Sequence, residues 1–206
     1  MAKSFLDILV PDNQYYGIDY EEAFAPDAVV DLFDYSSVAA AMQANHDAIM
    51  ILDVLEHLTD DVGELEDIMS NIARCTPKDS WVVITLPQMY RLDRLKLSHL
   101  HYPEHKIRLT QKEWLASLTK HFSVHSVQGL GYLSVFPYLP MLSKKYASHS
   151  KYERLFMHLR SQTFEKDFLK PTDLFLSNTL GKLPILKHWS NDFLVVARAR
   201  QHANAE

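Results

Sequence analysis

The chain has 206 residues, 47% of them hydrophobic and 23% charged, which is enough apolar content to bury one full core. Its formal charge of −5 and its 21 scattered Lys and Arg residues make no basic face, which argues against nucleic acid as the main partner. A single cysteine, Cys75, excludes an internal disulfide, and the opening residues lack a secretory pattern, so a reducing cytoplasm is the expected location.

Taken in chain order, Ala2 to Val10 groups Phe5, Leu6, Ile8 and Leu9 on one face of a short helix that Pro11 and Asp12 close. Tyr15 to Asp19 (YYGID) reads as a strand ending in a carboxylate. Ala28 to Leu32 (AVVDL) repeats that design with Asp31 near its tip, and Ser36 is placed as the cap of a helix carrying Val38 to Met42. His46 to Leu58 reads HDAIMILDVLEHL. Its apolar run from Ala48 to Leu52 is expected to be a strand buried on both faces, with Asp53 at the end. Asp60 and Asp61 open a helix whose Leu65, Ile68, Met69 and Ile72 recur at helical spacing. Thr76-Pro77-Lys78-Asp79 is a turn, and Trp81 to Leu86 is a further buried strand.

Beyond Pro87, Thr110 to Glu113 (TQKE) is a capping box opening a helix with Trp114, Leu115 and Leu118 inward. Phe122 to Gln128 alternates as a strand, and Asn191 to Arg198 is the last one. The long connection over 136–190 is expected to be a helical cap within a single domain spanning 1–206. One of its helices is marked by Tyr152, Leu155, Phe156 and Leu159, and a second runs from Pro171 to Leu180 with Gly181 at its end. The alternation of strand and helix predicts an α/β fold whose ligands sit at the carboxyl ends of parallel strands, so that Asp19, Asp31 and Asp53 share one rim.

The succession YYGID, AVVDLFD, HDAIMILDVLEHL, the Thr-Pro-Lys-Asp turn and WVVITLPQM is similar to class I S-adenosylmethionine-dependent methyltransferases. It most resembles the branch in which Glu-His-Leu follows the fourth strand; HKIRLT (His105 to Thr110) and NDFLVVARAR extend the likeness. The resemblance implies a Rossmann-like, mostly parallel sheet with an antiparallel last strand, and S-adenosylmethionine as cofactor. Asp19, with Tyr20 beside it, falls where an acid accepts the cofactor's ribose hydroxyls. Asp31 and Leu32 fall where adenine is held, and Asp53 where the methionine end meets the acceptor. Glu56, His101 and His105 face that acceptor, a small molecule, a sugar or a lipid-linked group. His57 assists proton removal from an acceptor hydroxyl; a histidine at that place also serves as a helix-start residue bonding backbone.

The family's first strand and its Gly-x-Gly-x-Gly loop belong upstream of Asp19, where the chain has Gly17 alone. The fold is therefore expected to be N-terminally truncated, its innermost strand lying upstream of Met1, lost in a non-catalytic interaction or regulatory module, or supplied by a partner. A gap at the centre of the sheet is expected to leave a strand edge open to self-association. His99, His101 and His105 offer imidazoles in an H-x-H-x3-H pattern, but no Cys or carboxylate of zinc spacing accompanies them, so no metal is assigned and the segment is read as a solvated or acceptor-facing loop. Tyr132 to Leu142 mixes aromatics, leucines and prolines ahead of Lys144 and Lys145. It serves as packing over the sheet or as a peripheral membrane contact.

Overall fold

The computed structural model describes residues 14–42, 46–89, 96, 101–133, 142–143 and 169–200. The expected helices at Ala2 to Val10 and around Tyr152 to Leu159, most of the cap over 136–190, His99, and nearly all of Tyr132 to Leu142 lie outside these residues. Among the described residues, no helix is long and apolar enough to cross a membrane.

Two sheets form. Strands β1 (Ile18–Asp19) and β2 (Ala28–Val29) make a two-stranded parallel sheet, with Asp19 opposite Val29. Strands β3 (Ala48–Leu52), β4 (Trp81–Pro87), β5 (Phe122–Leu130) and β6 (Asp192–Ala199) make the second, in the order β3-β4-β6-β5. β3 and β4 are parallel, while β6 runs antiparallel to both its neighbours. The last strand is thus the reversed one, as the sequence predicts. Among the described residues, β1 pairs only with β2, and β3 only with β4, so a break separates the two sheets.

Among the described residues there are five α-helices: α1 (Tyr35–Ala41), α2 (Leu55–Leu58), α3 (Val62–Cys75), α4 (Gln111–His121) and α5 (Leu169–Thr179). The i, i+3, i+4, i+7 spacing in α3 buries Leu65, Ile68, Met69 and Ile72 completely or nearly so. They meet Trp114 and Leu118 of α4 over alternate residues of the strands: Ile51, then Val82, Ile84 and Leu86, then Phe193, Val195 and Ala197. The register makes one continuous face of these, because Ile51 pairs with Ile84 and Ile84 with Val195. The Thr110 capping box closes as expected: Glu113 Oε2 accepts from Thr110 N at 2.7 Å.

Three local expectations are corrected. Helix α1 is capped by Asp34, whose carboxylate accepts from Ser36 N and Ser37 N at 3.0 and 3.1 Å, and not by Ser36. A carboxylate offers two acceptors to the two orphan amides where a hydroxyl offers one. The strand at Ala28 is shorter than Ala28 to Leu32, because Asp31 N turns to Ser37 Oγ and Phe33 N to Asp31 Oδ1. β3 is buried on one face only: Ile51 is covered, but Ala48, Met50 and Leu52 are exposed. A continuous apolar run cannot reveal that one of its faces lacks a cover.

Candidate active site

The site begins at the end of β3. Asp53 adopts a left-handed backbone with φ of 52°, a conformation uncommon outside glycine and tolerated best by Asn and Asp. Thr85, at the tip of β4, holds it there. The Thr85 hydroxyl accepts from Asp53 N at 3.0 Å and donates to Asp53 Oδ1 at 2.9 Å. This reversal turns the chain at once into α2, where Leu55 and Glu56 are buried and His57 is partly exposed.

The loop entering α4 folds against α2. Glu56 O accepts from Lys106 N at 2.9 Å and from Ile107 N at 3.3 Å, while Lys106 Nζ reaches Leu58 O at 3.1 Å. Tyr102 O accepts from His105 N and from the Arg108 guanidinium, both at 3.2 Å, which sets the loop's shape. These bonds bring His105 beside His57, with ring centroids 4.9 Å apart, edge to face. His57 Nδ1 lies 2.9 Å from Glu104 O and must donate, since a carbonyl only accepts. That leaves the lone pair of the neutral ring on Nε2, 3.7 Å from Glu56 Oε1.

Electrostatics at this corner are unusual. Burial pushes the Glu56 carboxyl up to about 8, and the nearby carboxylates of Asp53 and Asp192 add to it. Burial, with His57 and Arg108 close by, pushes His105 down to about 4. Around neutral pH the pair therefore consists of a mostly protonated carboxyl and a neutral imidazole, and Glu56 and His57 do not form an ion pair. Glu56 is 1% exposed, and its Oε2 has no hydrogen-bond partner. A shallow depression of about 490 Å³ adjoins the cluster, lined by Leu58, Asp60, Pro103, His105, Lys106 and Arg108 among others.

The residues singled out from sequence fall into two groups. Asp19 and Asp31 lie at the carboxyl ends of paired strands, where Val30 N donates to Asp19 O at 2.8 Å. Each carboxylate accepts a backbone amide two residues on, from Glu21 at 3.0 Å and from Phe33 at 2.9 Å. Tyr20 beside Asp19 is exposed, and Leu32 packs on the core. Asp53, Glu56, His57 and His105 form the second group on the four-stranded sheet, so the single rim expected for the three aspartates is divided between two sheets. The Asn71 amide of α3 bridges toward the first group by donating to Leu32 O and Phe33 O at 3.4 and 3.3 Å. His101 is partly buried in the same loop as His105 but is not part of the cluster. Thr85 was not legible as a site residue, because its role depends on the parallel pairing of β3 with β4.

No family model matches the chain, and no curated protein sequence does. Among solved structures it is similar to an S-adenosylmethionine-dependent methyltransferase from Archaeoglobus fulgidus, with a TM-score of 0.52 and 16% identity over 96% of this chain and 81% of that one. It also matches the N-methyltransferase NodS from Bradyrhizobium japonicum WM9, with a TM-score of 0.44 and 10% identity over 97% and 82% of the two chains. A third match is Haemonchus contortus phosphoethanolamine N-methyltransferase 2 in complex with S-adenosylhomocysteine, with a TM-score of 0.35 and 14% identity over 75% and 34%. With its strand order, its reversed last strand and its likeness to the archaeal enzyme, the chain has a class I methyltransferase fold.

Proposed function

We propose that the chain binds S-adenosylmethionine and methylates a small-molecule, sugar or lipid-linked acceptor. The observation that carries this reading is the set of carboxylates at the tips of successive strands, Asp19, Asp31 and Asp53, with Asp53 held in a left-handed turn beside a Glu-His-His corner. Asp19 and Asp31 each give one oxygen to a local backbone amide and, being only partly buried, keep acceptor capacity for ribose hydroxyls and for an adenine amine. Tyr20 and Leu32 flank them, and Asp53 faces the methionine end. When bound, the cofactor supplies an electrophilic sulfonium methyl group, and its C–S bond breaks with the electron pair passing to sulfur. His57 takes the acceptor's proton on Nε2, its ring held in place by the bond to Glu104 O. Glu56, His101 and His105 line the acceptor side.

A second reading, a non-catalytic interaction or regulatory module, is favoured by one fact: the apolar side chains of Ile18, Val29, Met50 and Leu52 on the strands are exposed, as a partner-binding surface requires. Calorimetric titration with S-adenosylmethionine separates the two. Binding that Asp19→Asn weakens about tenfold supports catalysis, through the loss of a charge-assisted hydrogen bond worth roughly 1.5–3 kcal/mol. Absence of heat at millimolar ligand leaves the module.

A further inference from the structure

The Glu56, His57 and His105 corner has a property that proton transfer alone does not use. Each of the three side chains offers one donor atom, and these atoms all lie within 4.8 Å of one another. A tetrahedral ion with bonds of ~2.1 Å places its ligands ~3.4 Å apart. The 3.7 Å between His57 Nε2 and Glu56 Oε1 is already close to that spacing, and the His105 ring nitrogen lies within 4.8 Å of both. We infer that Glu56, His57 and His105 form a binding site for one divalent first-row transition-metal ion.

Four independent features support this. Glu56 is almost wholly buried, yet its Oε2 has no hydrogen-bond partner; a buried polar oxygen left unmatched is costly unless a partner joins it. His105 Nδ1 is likewise enclosed and without a partner. His57 donates its Nδ1 proton to Glu104 O, the arrangement that fixes a ligating imidazole with its Nε2 lone pair outward. Finally, the cluster is built on rigid supports: α2 follows the clamped Asp53 turn, and the His105 loop is tied by backbone bonds to Glu56 O.

Two imidazoles and one carboxylate favour zinc, cobalt or manganese over magnesium or calcium, which prefer all-oxygen sites. Three protein ligands leave a coordination position open, as catalytic sites do. The site itself requires nothing from methyl transfer. A bound ion takes the same His57 Nε2 lone pair that proton removal uses, so His57 serves as a base only in the metal-free chain.

The test is titration of the purified full chain with cobalt(II), read by its visible d–d absorption and by stoichiometry, followed by competition with zinc(II). One equivalent bound with a band of four- or five-coordinate cobalt is expected, along with displacement by zinc and a rise in melting temperature. Glu56→Gln and, separately, His105→Gln should each weaken binding at least tenfold and abolish the band, while circular dichroism confirms that both remain folded. The proposal is overturned if the wild type binds no cobalt at micromolar free ion, if both variants bind as the wild type does, or if magnesium displaces the ion at equal concentration. S-adenosylmethionine binding is measured on the same samples: metal bound without cofactor sinks the proposed function and leaves this site standing, and the reverse sinks only this site.

Discussion

Asp53 shows how much one backbone angle decides. Its left-handed φ of 52° turns the β3 tip into α2, and the paired bonds with Thr85 stabilise that turn. Asp53→Asn keeps both the amide bond and the tolerance for this conformation, so it should change stability by less than about 0.5 kcal/mol. Asp53→Val loses the side-chain bond and places a β-branched residue at positive φ, at a cost of roughly 2–3 kcal/mol in urea denaturation. A second residue controls the pH profile. Burial pushes the Asp192 carboxyl up to about 7, with the carboxylates of Asp53 and Asp173 adding to the effect and the Asn191 amide opposing it. In the unfolded chain the same group titrates near 3.9. Between these values the folded state holds a proton that the unfolded state lacks, so this contribution is full at pH 4 and is lost as pH rises through about 7. Relative to Asp192→Asn, the wild type should lose on the order of 4 kcal/mol over that interval, read as denaturant midpoints across pH. Parallel pH curves for the two proteins would contradict it. For chemistry, His57→Ala should lower kcat about a hundred-fold or more in an acceptor assay while leaving cofactor affinity within about twofold.

At the scale of elements, close approach is the constraint with the clearest consequence. The turn Leu180–Lys182, which follows α5, lies against β5, and a Cβ on Gly181 would collide with the Gly129 carbonyl oxygen. Gly129 is crowded in turn, with Ser190 Oγ at 2.7 Å and Lys187 O at 2.9 Å from where its Cβ would sit. Backbone meets backbone here, so no side chain can swing away. Gly181→Ala should therefore cost about 2 kcal/mol or more by overpacking and lower the melting temperature by several degrees. Gly181 is readable in the sequence as a helix stop, which is one reason for a glycine at that position; the contact with Gly129 is the other, and it needs the tertiary fold.

Across the whole molecule, the break between the sheets leaves an apolar margin. Ile18 and Val29 on the small sheet, and Met50 and Leu52 on β3, are exposed, as are Tyr16, Tyr20, Phe24 and Phe33 nearby in the chain. Exposed apolar strands whose edges are unpaired among the described residues template association. The weight-average mass in sedimentation equilibrium should rise with protein concentration, and Met50→Lys should suppress that rise without lowering stability by more than about 0.5 kcal/mol. A single monomeric species at every concentration would refute it.

Residue chemistry and short-range order were written in the chain. Helical spacing marked the buried face of α3, the Thr110 to Glu113 box marked the start of α4, and acid-tipped apolar runs marked the strands, because each depends only on neighbours a few positions away. The tertiary structure alone decided which strands pair, that the carboxylate tips divide between two sheets, and that His105 stands against Glu56 and His57 rather than beside His101. Residues 47 to 51 positions apart leave no periodic trace when what joins them is a set of hydrogen bonds between a loop and another element, and such a contact exists only once both elements have packed on the same sheet.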